Sequence, residues 1–226
     1  HAGSDAAGAK AARSRRSPPM SCNITVPARS FLIQPDLGSP QRMLKERQKM
    51  IKPVGSDELK PLFVYDPDKH HELMSEAAGL PSVVVSSQAA GNAVMMGGGY
   101  FSPLPGFMNL ADAMGACETM RMTNGAFFPV PVLCLLDNVD AIKGAKRISL
   151  RDPNMDGHPV LAIMDVDAIE EISDQQMAYM TDKVYRTDDP EHPGVSAFNS
   201  QGRFAVSGPM NVLHFSYFQD DFPDTF

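Results

Sequence analysis

The sequence predicts an α+β fold: a mixed, strongly curved β-sheet or small β-barrel with peripheral helices. Three observations carry this reading. Short runs of β-branched and apolar residues recur, as at Ser82-Val83-Val84-Val85-Ser86 and over residues 130–136. Capped helical stretches punctuate them. No regular strand–helix–strand alternation runs along the chain, which disfavours a doubly wound parallel sheet.

The elements follow in order. Residues 68–78 read as a helix, with Asp66 or Asp68 as N-cap and Gly79-Leu80-Pro81 as the stop. Residues 82–86 form a strand. Residues 87–96 are helical, capped by Ser86 or Ser87 and ended by Gly97-Gly98-Gly99. A helix over 109–122 has Asn109 as N-cap and ends at Asn124-Gly125. The apolar run 130–136 reads as a buried strand. Residues 146–150 and 159–166 are strands joined by the turn Asp152-Pro153-Asn154-Met155-Asp156-Gly157. Residues 173–185 are a helix capped by Ser173. Residues 204–213 make one long strand, bent at Gly208-Pro209. There is no internal repeat.

Composition limits the function classes. The 226 residues carry a formal charge of −7, unevenly distributed. Residues 1–49 hold nine Lys/Arg against three Asp/Glu; the remainder holds eleven against twenty-four. Such an acidic body repels phosphate backbones, so no nucleic-acid partner is expected. Cys22, Cys117 and Cys134 are widely spaced and form no Cys-x-x-Cys pair. They suggest neither a zinc site nor a disulfide framework, and Cys134 reads as a buried thiol in a reducing cytoplasm. No apolar stretch reaches membrane-spanning length, so no membrane partner is expected.

Residues 1–49 are rich in Ala, Ser, Arg and Pro and are expected to be a disordered, non-native leader or tail. The chain begins with His1, and Met50-Ile51-Lys52-Pro53 reads as a natural start. Lys45-Glu46 can be encoded AAG-GAG, a ribosome-binding sequence three codons before Met50. That favours an untranslated leader read in frame over an organellar transit peptide or a cloning or assembly artefact.

Several clusters are candidate sites. Thr187-Asp188-Asp189-Pro190-Glu191-His192 gathers three acids and a histidine, yet Pro190 and Pro193 extend the turn. A polar, capping loop is the preferred reading over a metal site. Asp165, Asp167, Glu170, Glu171 and Asp174 flank a predicted helix start and read as helix-dipole and solvated carboxylates, not an acid–base pair. Met95, Met96, Met108, Met114, Met120 and Met122 read as plastic core filling. Among Arg147, Arg151, Arg186 and Arg203, the pair Arg151-Asp152 is the best candidate for an interdomain salt bridge, and none is assigned to an oxyanion ligand. Neither Gly-x-Ser-x-Gly nor a Walker-type phosphate loop occurs. No catalytic, cofactor-binding or metal-ligating residue is assigned.

The most informative run is Gly97-Gly98-Gly99-Tyr100-Phe101-Ser102-Pro103-Leu104-Pro105-Gly106-Phe107-Met108-Asn109. Gly and Pro at this density mark a tight turn, and the aromatics require that turn to pack. The run resembles the Gly-Gly-Phe-Ser-Pro-Leu-x-Gly-Phe-Met segment of ATP sulfurylases (sulfate adenylyltransferases). Four further runs agree in order: Asn124-Gly125-Ala126-Phe127-Phe128-Pro129-Val130-Pro131-Val132, Ile148-Ser149-Leu150-Arg151-Asp152-Pro153, the stretch from Tyr185 to Val195, and Ser207-Gly208-Pro209. The resemblance covers about residues 51–226, and among that family it points to the single-function enzymes of sulfur-oxidising bacteria.

The resemblance implies a PUA-like β-barrel over residues 50–215, with 216–226 starting a linker. It also implies what is missing. The family carries its nucleotide chemistry on Gln-x-Arg-Asn-Pro-x-His-x-x-His and a later Gly-Arg-Asp, and neither occurs here. The expectation is therefore an amino-terminal scaffold domain, ending before the active site and holding no cofactor of its own. Its expected partner is the missing catalytic domain, in a homo-oligomeric parent that uses sulfate and Mg-ATP. The segment 97–109 is expected to be an interdomain anchor, with apolar area on Phe101 and Phe107 left exposed in this chain. The alternative reading is a free-standing PUA-like module that binds RNA or protein.

Overall fold

The computed structural model describes residue 53 and residues 56–225. The expectation for residues 1–49 lies outside the described residues.

Helix α1 (Pro67–Ala77) opens on Asp66, whose carboxylate accepts from the backbone N–H groups of Asp68 and Lys69. Strand β1 (Ser82–Val84) follows, then α2 (Ser87–Gly97), capped by the Ser86 hydroxyl. Strand β2 (Gly106–Phe107) leads to α3 (Leu110–Thr119), capped by Asn109. Next come β3 (Leu135–Leu136), a 3-10 turn at Asp140–Ile142, β4 (Arg147–Arg151), β5 (Val160–Asp165) and β6 (Ala168–Glu171). Helix α4 (Asp174–Tyr185) starts with a full capping box between Ser173 and Gln176. Helix α5 (Pro193–Asn199), the long strand β7 (Phe204–Val212) and the short α6 (Phe218–Asp221) complete the order.

The sheet is mixed and strongly curved, as expected. Its main path runs β1-β4-β5-β7-β2, with β1 parallel to β4 and the other pairs antiparallel. Strand β7 is the seam. Residues 210–212 pair with β5, whereas residues 204–207 pair with β6 and residues 204–205 also with β3. The bend falls at Gly208, whose φ of +145° is open to glycine and costly for other residues.

Three apolar clusters hold these elements. The largest packs α2 against β4, β5 and β7, using Ala89, Ala93, Val94 and Met96 on Ile148, Leu161, Met164 and Val212. The second joins α3, α4 and α5 through Ala113, Met177, Met180 and Phe198 to Leu133, Leu135 and Ala205. The third seats Leu73 and Ala77 of α1 on Val160, Ile163 and Leu213.

Four expectations need correction. The run 130–136 is a strand only at Leu135–Leu136; Pro129 and Pro131 lack the donors a ladder requires, and Val130 is 45% exposed. Helix α3 stops at Thr119, because Met120 turns to a left-handed φ of 55°. The acidic run does not flank a single helix start: Glu170 and Glu171 lie on β6, paired with Ala205 and Phe204. The stretch after Pro193 is a helix that the residue pattern did not suggest, with Pro193 in its first turn and the His192 ring accepting from the Val195 N–H at 3.4 Å.

Candidate functional site

Three of the five runs that carry the resemblance meet at one place. A cavity of about 550 Å³ is lined by the turn segment from Pro103 to Asn109, by Asn124 and Ala126, and by Ser207-Gly208-Pro209. Asp112, Met122, Asp167 and Ala168 close it.

The turn segment is tied down at both ends. The Ser102 hydroxyl donates to the Gly99 carbonyl at 2.7 Å and accepts from the Lys60 N–H at 3.0 Å. The Ser102–Pro103 peptide is cis. Gly106 and Phe107 then pair with Pro209 and Gly208, and the Met210 N–H donates to the Pro105 carbonyl at 2.9 Å. Next, the Met108 N–H donates to the Val132 carbonyl at 3.0 Å. The turn is thus stitched to β7 on one side and to the 124–132 run on the other.

This changes the reading of the anchor. Phe107 is 4% exposed and belongs to the main core of this domain, so it does not present area to another one. Phe101 is half-buried, with its ring edge-on to Phe128 at 6.0 Å. Strand pairing at β2 points Phe107 inward, a contact made through β7 about a hundred residues later in the chain. The exposed aromatic of the segment is Tyr100, at 50%.

Besides the amides of Asn109 and Asn124, the cavity has polar groups from three further places. Asp112, on α3, accepts from both the Thr123 N–H (2.8 Å) and the Thr123 hydroxyl (2.6 Å) through one oxygen. Asp167 sits exposed in the β5–β6 connection. Ser207, on β7, is 2% exposed, and its hydroxyl has no hydrogen-bond partner. Among the described residues no lysine or arginine lines the cavity. The sequence reading did not single out Asp112 or Ser207 as polar groups of a site. The one available signal was Ser207 preceding Gly208-Pro209, where a bend forces neighbours together.

The other candidates lie apart. In the Thr187–His192 stretch the hydroxyl of Thr187 accepts from the Asp189 N–H and the Asp189 carboxylate accepts from the Glu191 N–H, turn by turn. Glu170 reaches α3, where its carboxylate accepts from the Leu110 N–H at 2.8 Å. Arg147 pairs with Glu76 at 2.6 Å and Asp165 at 3.0 Å, and Arg203 pairs with Asp174 at 2.8 Å. Arg151 donates to the His158 carbonyl, and Asp152 is fully buried, its carboxylate accepting from the Asn154 N–H. The interdomain salt bridge expected of Arg151 and Asp152 is therefore corrected: a carboxylate with no exposed surface serves its own turn. Met96, Met108 and Met122 fill the main core, while Met120 is 50% exposed. Burial pushes the Cys134 thiol up to about 12 and the Cys117 thiol up to about 11, and raises the Tyr185 phenol. Neither thiol is a nucleophile near neutral pH. Among the described residues no three or more His, Cys, Asp or Glu gather as a metal site, and no helix is long and apolar enough to cross a membrane.

Comparison with known proteins agrees with the geometry. Residues 51–215 match the family model for the PUA-like domain. The chain is 71% identical over 177 residues to a sulfate adenylyltransferase of Allochromatium vinosum, covering 78% of this chain and 45% of the relative. It is 69% identical to one from the Riftia pachyptila sulfur-oxidizing endosymbiont, covering 78% and 40%, and 34% identical to one from Thiobacillus denitrificans, covering 79% and 42%. The chain thus spans less than half the length of these relatives. Among solved structures, a hexameric APS kinase from Thiobacillus denitrificans matches with a TM-score of 0.52 at 23% identity, over 74% of this chain and 27% of that one. That likeness concerns the fold alone.

Proposed function

The chain belongs to the PUA-like domain family, and on that footing we propose that it is the amino-terminal docking domain of a sulfate adenylyltransferase. The observation that carries this is the 71% identity over 177 residues to a sulfate adenylyltransferase more than twice as long as the matched stretch. In the whole enzyme a sulfate oxygen attacks the α-phosphorus of Mg-ATP. The bond from that phosphorus to the bridging oxygen breaks, pyrophosphate leaves, and adenosine 5′-phosphosulfate forms. In sulfur oxidation the same step runs in reverse and yields ATP.

Such a transfer depends on positioning and on cationic groups that stabilise charge on the phosphoryl oxygens. The acidic cavity described above, which no cation among the described residues lines, is unsuited to hold a triphosphate or sulfate. The domain's part is therefore to support the catalytic portion, in a homo-oligomeric cytoplasmic enzyme. The purified chain should neither form adenosine 5′-phosphosulfate nor exchange pyrophosphate into ATP. Turnover above background would overturn the assignment.

A further inference from the structure

The cavity between the turn segment, α3 and β7 has a chemistry that docking alone does not specify. Its walls are apolar: Leu104, Phe107 and Met122 are buried members of the main core. Its charged groups are acceptors, beside the side-chain amides of Asn109 and Asn124, whose oxygens already accept from the Asp112 and Ala126 N–H groups. Asp112 and Asp167 bring two carboxylates, and among the described residues no lysine or arginine side chain lines the space. The Asp112 oxygen that does not hold Thr123 is free to accept. The decisive group is Ser207. Its hydroxyl is buried and unpartnered, although buried polar atoms are nearly always hydrogen-bonded. An unpaired group of this kind in a cavity wall points to a partner supplied from outside the domain.

From this we infer that the cavity receives an arginine side chain from the polypeptide that packs on this domain. The aliphatic stem would lie on the apolar wall. The guanidinium would donate to Ser207 Oγ and to the carboxylates of Asp112 and Asp167. A planar fork with five donors suits acceptors that come from three different elements, where an ammonium would serve fewer of them. Charge complementarity selects against an anionic group, since no cation among the described residues would receive it. The identity of the polypeptide rests on the docking reading; the chemistry of the cavity does not.

The test uses the intact chain and n-butylguanidinium, with n-butylurea as the neutral isostere. Binding is followed by amide chemical shifts. Saturable binding of butylguanidinium should move resonances of Phe107, Asn109 and Ser207, with butylurea weaker by about tenfold or more. Asp167→Asn, at an exposed position where misfolding is not expected, should weaken the guanidinium by a similar factor, and Ser207→Ala should do so with the fold's spectrum retained. Equal binding of the two probes, shifts confined to other residues, or no saturable binding would overturn the inference. Butylguanidinium should also compete with the remaining polypeptide of the Allochromatium vinosum relative; simultaneous binding of both would remove that polypeptide as the source. Failure of the two polypeptides to associate would sink the docking reading, whereas the probe titration alone decides what the cavity prefers.

Discussion

Gly106 and Gly208 meet backbone to backbone where the turn strand β2 crosses the bend of β7. A Cβ added to Gly106 would fall on the Gly208 carbonyl oxygen, and one added to Gly208 would fall on the Asp165 carbonyl oxygen. Three chain segments therefore approach more closely than any side chain allows, and the cavity beside them depends on that approach.

Gly208→Ala should consequently be far more damaging than an ordinary glycine replacement. Gly125 is the control: its φ is +82°, but the space around it is open. Gly125→Ala should lose roughly 1 kcal/mol from backbone conformation alone. Gly208→Ala adds a backbone overlap that only movement of β5 or β7 relieves, and it should leave little folded protein. Similar urea midpoints for the two variants would contradict the close crossing.

Phe107→Ala should destabilise the isolated domain by ~3–5 kcal/mol, the usual penalty for emptying a buried aromatic site. Val130→Ala, at a residue 45% exposed, should stay within about 0.5 kcal/mol. The comparison separates a core residue from a surface one within neighbouring runs. A small effect of Phe107→Ala in the isolated chain would return the residue to an interdomain role.

Glu170 stabilises the start of a helix sixty positions away in the chain. Its carboxylate and the Asn109 side chain together bind the Leu110 and Asp112 N–H groups of α3. Glu170→Ala should lower stability by about 1–2 kcal/mol, and Glu170→Gln by less, because an amide oxygen still accepts from Leu110. Amide exchange should report the loss first at Leu110 and Ala111. Unchanged exchange in the first turn of α3 would argue against the contact.

Alkaline pH should unfold the domain through its buried thiols. Cys134 ionises near 12 when folded against an ordinary value of 9.0. The folded state therefore keeps its proton where the unfolded state has lost it, and stability falls as pH rises. The effect is absent below pH 9 and accumulates from there towards 12, by up to about 1.4 kcal/mol per pH unit from this thiol. Cys134→Ala should flatten that part of the curve. An identical slope in wild type and variant between pH 9 and 10.5 would refute the assignment.

Much of the fold was legible because its signals are local. Asn109 and Ser173 cap the helices expected of them, Asp66 and Ser86 do so out of the pairs Asp66/Asp68 and Ser86/Ser87, and β7 bends at Gly208 as the Gly-Pro pair suggests. What escaped depends on distant partners. Strand β6 exists because residues 204–207 of β7 lie beside it, and its acidic residues hide the pattern. Phe107 is buried by a two-residue strand that no periodicity marks. The cavity gathers Asp112, Asp167 and Ser207 from three elements, and no spacing in the sequence brings them together. The curated relatives bear out the family read from five short runs, and three of those runs converge at the cavity.

The most direct measurement of the docking claim is pyrophosphate exchange after mixing this chain with the remaining polypeptide of the Allochromatium vinosum relative. Each part alone should stay at background, and the mixture should turn over with activity that saturates as this chain is added. Activity of either part alone at the level of the mixture, or no gain on mixing two folded parts, would contradict the account.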